Sequence, residues 1–385
     1  MKQNPQVNPA AALARTTNSR SVLLILSTLL LLAFANPSRA VEYSITTLAE
    51  NLEYHWCVTS LPSGDLLITE RGGQLKRLSA SASTQNISPI SGVPEVYFAG
   101  QGGLFDVLLD PEFETNQLIY LSYASGNEAS NATRVARARL TQDSLEDLEV
   151  IFTATPGKAT PQHYGGKMAL LADGTLLLTT GDGWDYREQA QNTNSNLGKT
   201  IRINRDGSLP SDNPFTAGGG HPAVWTYGHR NPQGLAVDPA NGAIYLHEHG
   251  PRGGDEINVL QPGSNYGWPA ATFGLDYSGA KVSPFTQLPD MQAPLKVWVP
   301  SIAPSGLAVY RGEQFPEWQG SLFVGALVDQ EVRRVSFDDD GLHEEAVFPE
   351  ISARIRDIRT TPDGALLIVT DGSPGAVYRI SQSAE

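Results

Sequence analysis

One pattern recurs six times along the 385 residues: a turn built on Gly or Asn, then three to five apolar β-formers. It occurs as LPSGDLLITE (61–70), DPEFETNQLIYLSYA (110–124), LADGTLLLTTGDG (171–183), DPANGAIYLHEHG (238–250), PEWQGSLFVGAL (316–327) and TPDGALLIVTDG (361–372). The Asp-Gly or Asn-Gly pair suits a tight turn that needs positive φ. The run behind it is short and rich in Leu, Ile, Val and Tyr, as befits a strand buried on both faces. A second strand-like run often follows, as in GGQLKRL (72–78), HPAVWTYG (221–228), EVRRVSF (331–337) and GAVYRI (375–380). The copies start about 45 to 80 residues apart, within the range of propeller blades with insertions. No convincing helical period lies between them, which argues for antiparallel sheets. A β-sandwich or two unrelated β-domains would share composition but not a motif. The pattern therefore predicts an all-β fold, a six-bladed β-propeller of four-stranded antiparallel sheets, whose radial arrangement leaves only short edges. The long interval after the fourth copy contains Pro269 to Pro300, rich in Pro, Gly, Ser and aromatics, and reads as an insertion over one face.

Charge and targeting narrow the function. A formal net charge of −14 argues against nucleic acid, whose phosphates need a basic face. Residues 1–40 read as a signal peptide: Lys2, Arg15 and Arg20 precede an apolar run from Ser21 to Ala35, and Ser38-Arg39-Ala40 resembles a small-x-small cleavage site. A retained anchor is the alternative, but 15 residues are short for a span. No other run reaches membrane length, so no stable span is expected after cleavage. Removing those 40 residues, with four basic and no acidic groups, takes the net charge from −14 to −18. The expected organisation is thus a signal peptide at 1–40 and one propeller at 41–385, exported to the periplasm or secreted. The single cysteine, Cys57, forms no internal disulfide and reads as a small buried hydrophobe.

Chemistry-bearing residues collect in Gly-rich stretches after strands and between blades. In a propeller such loops converge at one end of the channel, and loops are where binding groups tend to be placed. Gln101, between glycines in FAGQGGLFDVLLDP, reads as a hydrogen-bonding group aimed at a ligand or as a turn residue. His163, in TPQHYGGKMALLADG, is a candidate general base, although a lone histidine is more often structural. Arg230 and Asn231, in GHRNPQG, offer a donor fork and an amide to a carboxylate, quinone or phosphate oxygen, or a solvated ion pair. The turn His249-Gly250-Pro251-Arg252-Gly253-Gly254-Asp255-Glu256 offers carbonyl and carboxylate oxygens of the kind Ca²⁺ takes, without the spacing of an EF-hand. No CxxC, HExxH, GxSxG or strand-to-helix GxGxxG occurs, so zinc, a serine elbow and a Rossmann-bound nicotinamide are unsupported.

Several of these stretches, in order, are GQGGLFDVLLDPEF, HYGGKMALLADGTLLLTTGDG, YGHRNPQGLAVDP, HEHGPRGGDEINVLQPGSNYGWP, PSIAPSGLAVYRG, GSLFVGAL and RIRDI. Together they resemble the soluble pyrroloquinoline quinone (PQQ)-dependent aldose sugar dehydrogenases, the glucose/sorbosone dehydrogenase family, over about residues 50 to 380. The resemblance implies a six-bladed propeller that oxidises an aldose or related substrate. His163 would take the hydroxyl proton while hydride passes to PQQ. Gln101, Arg230 and Asn231 would contact the cofactor, Arg354 and Arg356 would pair with its carboxylates, and Tyr277 would lie along it. The backbone of Gly250 and Pro251 would hold a Ca²⁺ that polarises the quinone, and Glu256 and Tyr266 match a second, structural Ca²⁺ site. The protein would position and polarise a cofactor that supplies the redox chemistry.

Two departures stand out against that resemblance. Val328 stands where a lysine is common in the family, so one cofactor cation is expected to be missing. Gln162 stands where some relatives carry the acid that orients the histidine. Two competing functions use the same fold: a Ca²⁺-dependent propeller lactonase or hydrolase, and a non-catalytic ligand-binding propeller. Neither needs Arg354 and Arg356. No haem-attachment CxxCH occurs, and the electron acceptor is unidentified.

Overall fold

The computed structural model describes residues 41–80 and 85–383, and the predicted signal peptide lies outside them. The described residues form six four-stranded antiparallel sheets, the predicted propeller. Blades are numbered here by their first, innermost strands: His55–Ser60, Leu104–Leu109, Met168–Leu170, Pro232–Val237, Pro304–Val309 and Ile355–Thr360. Those six strands contact one another around the axis.

Each copy of the sequence repeat becomes the turn and second strand of a blade: Leu66–Glu70, Leu118–Gly126, Leu176–Thr180, Ile244–Glu248, Leu322–Ala326 and Leu366–Thr370. In five copies a glycine makes the turn, as at Gly174 with φ of 81°. The second copy instead uses Gln117, left-handed at φ 55° after the short helix Phe113–Asn116. The second strands are buried along nearly their whole length. The reason is packing: every sheet is sandwiched between two neighbours, so both faces need apolar side chains. Six core clusters result, one at each blade-to-blade interface. Val58 and Ile68 of the first blade, for example, pack on Leu367 and Val369 of the sixth. Each fully buried side chain of this kind contributes about 1.5–3 kcal/mol.

Three of the four expected second runs are third strands. HPAVWTYG is not: it forms the outermost strand of blade three, Val224–Tyr227, and Lys199–Ile203 lies between. The ring closes with strands from both ends of the chain. Tyr43–Leu52 adds to Gly375–Gln382 as the outermost strand of blade six, with Tyr43 opposite Gln382 and Leu52 opposite Gly375.

Strand direction decides where function can sit. The loop that enters each first strand and the loop that leaves each second strand lie at the same end of an antiparallel sheet. Gln101, His163, Arg230, Asn231 and Arg354 occupy entering loops or their borders. Arg71, Asp182, Gly250, Val328 and Asp371 follow second strands. The insertion leaves blade four after Asp255–Val259 and runs beside blade three, where Tyr227 and Asn265 bridge. It then brings Trp268 and Tyr277 to the same end and returns as Lys296–Trp298.

Candidate active site

His163 is buried, with φ of 50°, a left-handed backbone that is costly for a non-glycine residue. Its Nδ1 lies 2.7 Å from Asp182 Oδ1. A carboxylate only accepts, so Nδ1 carries the proton and Nε2 presents its lone pair. Asp182 is itself fixed: Oδ1 accepts from the Trp184 backbone N–H (2.8 Å) and Oδ2 from Trp268 Nε1 (2.8 Å). Gly181 permits the approach, since a Cβ there would lie 2.3 Å from the His163 carbonyl oxygen. Burial holds the His163 pKa below the ordinary imidazole value; Asp182 opposes that, while Arg230 and Lys158 reinforce it.

The histidine's acidic partner is thus present, and the expectation that Gln162 had replaced it is corrected. The acid follows the second strand of blade three, 19 residues on from His163. Chain neighbours of the histidine say nothing about a partner that arrives across a sheet.

His163, Asp182, Trp184, Arg230, Pro251, Trp268 and Tyr277 line one cavity of about 370 Å³. The Arg230 guanidinium sits 5.3 Å from the Trp268 ring, 5.8 Å from Trp184 and 5.9 Å from Tyr277. Its Nη1 donates to the carbonyls of Gly250 (2.7 Å) and His249 (3.2 Å). Tyr277, 58% exposed, stacks on Trp184 at the mouth, with centroids 5.5 Å apart and planes 17° apart. Tyr277 therefore borders the histidine chamber, not the arginines of the sixth blade.

A second cavity, also about 370 Å³, is lined by Gln101, Asn231, Gln233, Arg71, Arg354, Arg356 and Asp371. The segment 163–165 borders both, His163 lining the first and Tyr164 and Gly165 the second. Its backbone N–H at His163 donates to Gln101 Oε1 (2.8 Å), and that of Gly165 to Asn231 Oδ1 (3.3 Å). Arg354 Nε and Arg356 Nε each donate to one oxygen of Asp371, both at 3.0 Å. Burial alone would raise the Asp371 pKa; Arg356 and Arg354 outweigh it and hold the carboxyl below its ordinary range. Val328 stands 56% exposed at the rim, uncharged as expected.

The two expected pairs of metal ligands fall in two places, with Gly250 on the side of the second pair. Pro251 faces the histidine chamber, whereas Glu256 and Tyr266 line a small cleft behind Trp268 together with Glu248 and Gly250. Burial, then repulsion from Glu248, raises Glu256 to about 8. Two carboxylates facing one cleft fit a cation in it. The Tyr266 phenol is already committed, donating to the Val259 carbonyl and accepting from Gln261 N–H, so any ligand from this residue is its backbone carbonyl. The Gly250 carbonyl already accepts from Arg230. Among the described residues no group of three or more His, Cys, Asp or Glu side chains is arranged to hold a metal ion. Two other histidines lie away from these cavities, His247 on the Gly306 carbonyl and His229 on the Glu248 carboxylate, whereas His249, bonded to the Pro304 carbonyl, lines the arginine cavity. Burial, then the Asp106 carboxylate it bonds, raises the Cys57 thiol pKa far out of the reactive range. A larger cavity, about 640 Å³, opens at the other end of blades one and six and holds none of the predicted site residues.

Asp182, Trp184, Arg71 and Asp371 were not singled out from the sequence. A signal existed: each closely follows a repeat's second strand, where the site loops begin.

A six-bladed propeller with a buried His–carboxylate pair beside an arginine-rich cavity defines the class. Comparison with known proteins places it further. The family model described as Glucose / Sorbosone dehydrogenase matches residues 52–379, and the chain belongs to that family. The aldose sugar dehydrogenase YliI of Escherichia coli is 40% identical over 88% of this chain and 92% of its own length. A crystal structure of the soluble E. coli aldose sugar dehydrogenase in its apo form superposes with a TM-score of 0.84 at 39% identity, covering 89% of this chain and all of that one. The PQQ-bound aldose sugar dehydrogenase of Streptomyces coelicolor gives 0.72 at 27% identity, with coverage of 89% and 98%.

Proposed function

We propose that this protein is an exported, PQQ-dependent dehydrogenase of aldose sugars. The observation that carries the reading is the pairing of a tautomer-fixed histidine with a cavity of surplus positive charge. Arg71, Arg354 and Arg356 line that cavity with Asp371 as their one carboxylate. In a chain of net charge −14, such a surplus fits a polyanionic ligand, and PQQ carries three carboxylates. Arg354 and Arg356 would hold those carboxylates, and Gln101, Asn231 and Arg230 would hydrogen-bond the cofactor. When bound, PQQ supplies the two-electron oxidant, and Ca²⁺ polarises it.

The chain's own residues do the rest. His163 Nε2 accepts the proton of the substrate hydroxyl. Asp182 keeps Nδ1 protonated and stabilises the imidazolium that forms. Trp184, Trp268 and Tyr277 wall the chamber. Arg230 holds positive charge at its edge. The carbonyls of Gly250 and Pro251 would offer oxygen ligands to Ca²⁺, with Arg230 releasing Gly250. The Glu248–Glu256 cleft would take a second, structural cation. A lactonase or a non-catalytic propeller leaves the arginine cluster without a role.

The test is reconstitution. Purified apoprotein, PQQ and Ca²⁺ are combined, then assayed for a bound quinone spectrum and for dye reduction by a panel of aldoses. Sugar-dependent dye reduction that requires PQQ is expected. Absence of both bound quinone and dye reduction overturns the reading.

A further inference from the structure

Arg71 leaves the second strand of blade one at the position where Asp371 leaves that of blade six, in LLITERG and LLIVTDG respectively. The two residues line the same cavity. The Arg71 guanidinium is anchored on one side only. Nη2 donates to the carbonyls of Gly100 and Gly102, and Nε donates to Gly102 at 3.4 Å. These carbonyls flank Gln101. The Phe98 ring lies 5.5 Å from the guanidinium carbon. Among the described residues Nη1 makes no hydrogen bond and no carboxylate pairs with Arg71 in an ion pair. Both oxygens of Asp371 are already taken by Arg354 and Arg356. Burial, then the like charge of Arg356, holds the Arg71 pKa below its ordinary value. An arginine kept half-buried, unpaired and near another guanidinium is unfavourable unless an anion completes it.

We infer that Arg71 is a third cationic ligand for the carboxylates of the bound cofactor, supplying from blade one the charge that Val328 does not supply from blade five. Its fork is pre-oriented by the Gly100 and Gly102 carbonyls, so little side-chain entropy is lost on binding. This inference rests on the PQQ reading above.

The experiment is titration of the mature apoprotein with PQQ, followed by tryptophan fluorescence or calorimetry. It compares wild type, Arg71→Ala, Arg71→Gln, Arg71→Lys and Arg354→Ala at two salt concentrations. Loss of one charge-assisted contact weakens Kd by about 10- to 100-fold. Arg71→Ala and Arg71→Gln are expected in that range, with a shallower salt dependence than wild type because one charge is gone. Arg71→Lys should fall between, keeping the charge but losing the fork. If Arg71→Ala loses its cooperative melt, Arg71→Gln carries the test. If the neutral variants bind within twofold of wild type while Arg354→Ala is weakened, Arg71 merely staples the 98–102 loop and this inference fails alone. If wild type shows no saturable PQQ binding, the functional reading falls and takes this inference with it.

Discussion

Replacing Asp182 by Asn removes one charge and almost no volume, which makes it the sharpest probe of the site. Asp182 accepts three hydrogen bonds, from His163 Nδ1, Trp184 N and Trp268 Nε1. An amide has only one accepting oxygen. With that oxygen toward His163, the amide NH₂ opposes Trp268 Nε1–H, and an unsatisfied buried donor costs about 1–3 kcal/mol. With the NH₂ toward His163, the ring must accept at Nδ1, and its proton moves to Nε2, the atom needed as base. Either orientation damages the base, so kcat with saturating sugar, PQQ and Ca²⁺ should fall by about 10²–10⁴. PQQ affinity should stay within threefold, since the carboxylate does not line the arginine cavity. The pH profile gives a second readout. The base works when neutral, so activity falls as pH drops through its pKa. Burial already depresses that pKa, and Asp182 opposes the depression. Removing Asp182 should therefore move the acid limb to lower pH while the plateau collapses. A variant that keeps kcat within threefold, or whose acid limb moves upward with PQQ bound, would refute the dyad.

Three further outcomes are expected. Ca²⁺ at 100 times its Kd should stabilise the apoprotein by about 2.7 kcal/mol, read as a rise in Tm that EDTA reverses and Glu256→Gln abolishes. His247, buried with Nδ1 unpartnered, is held down to about 4 by burial. The folded chain therefore binds fewer protons there than the unfolded chain. That stability is complete above about pH 6.5 and lost as pH falls through about 4, at most about 3 kcal/mol. Urea unfolding at pH 7 and 4.5 should show the loss, and His247→Gln should reduce it. Finally, N-terminal sequencing of the exported protein should begin at Val41; a retained apolar segment would exclude cleavage after Ala40.

The propeller was legible because its second strands are sandwiched between sheets. Continuous burial leaves a local signature, and the tight turn before each run demands particular residues. Tyr43–Leu52 was not legible. It is an outer strand, partly exposed along its length, and its partner lies more than 300 residues away. The site divides the same way. Gln101, His163, Arg230 and Asn231 stand in glycine-rich loops that advertise themselves. Asp182, between Gly181 and Gly183, and Arg71, before Gly72 and Gly73, also have glycine neighbours, but they close runs that read as strands, and what identifies them is what they meet across the fold. Gln162 misled because it stands where some relatives carry the acid, whereas here the acid reaches His163 from just past the second strand of blade three.

The closing strand pair also sets how the ring responds to force. Tyr43 and Gln382 pair at one end of an antiparallel ladder, so the first and last strands have their outer ends at the same corner. Ladder hydrogen bonds run perpendicular to the strands. Tension applied between the two ends therefore loads these bonds one pair at a time, from Tyr43–Gln382 toward Leu52–Gly375, and peels the strand instead of shearing it. A protein tethered by its termini should yield at low force with a short extension, leaving the other five blades intact. A loop tether should give a much higher rupture force.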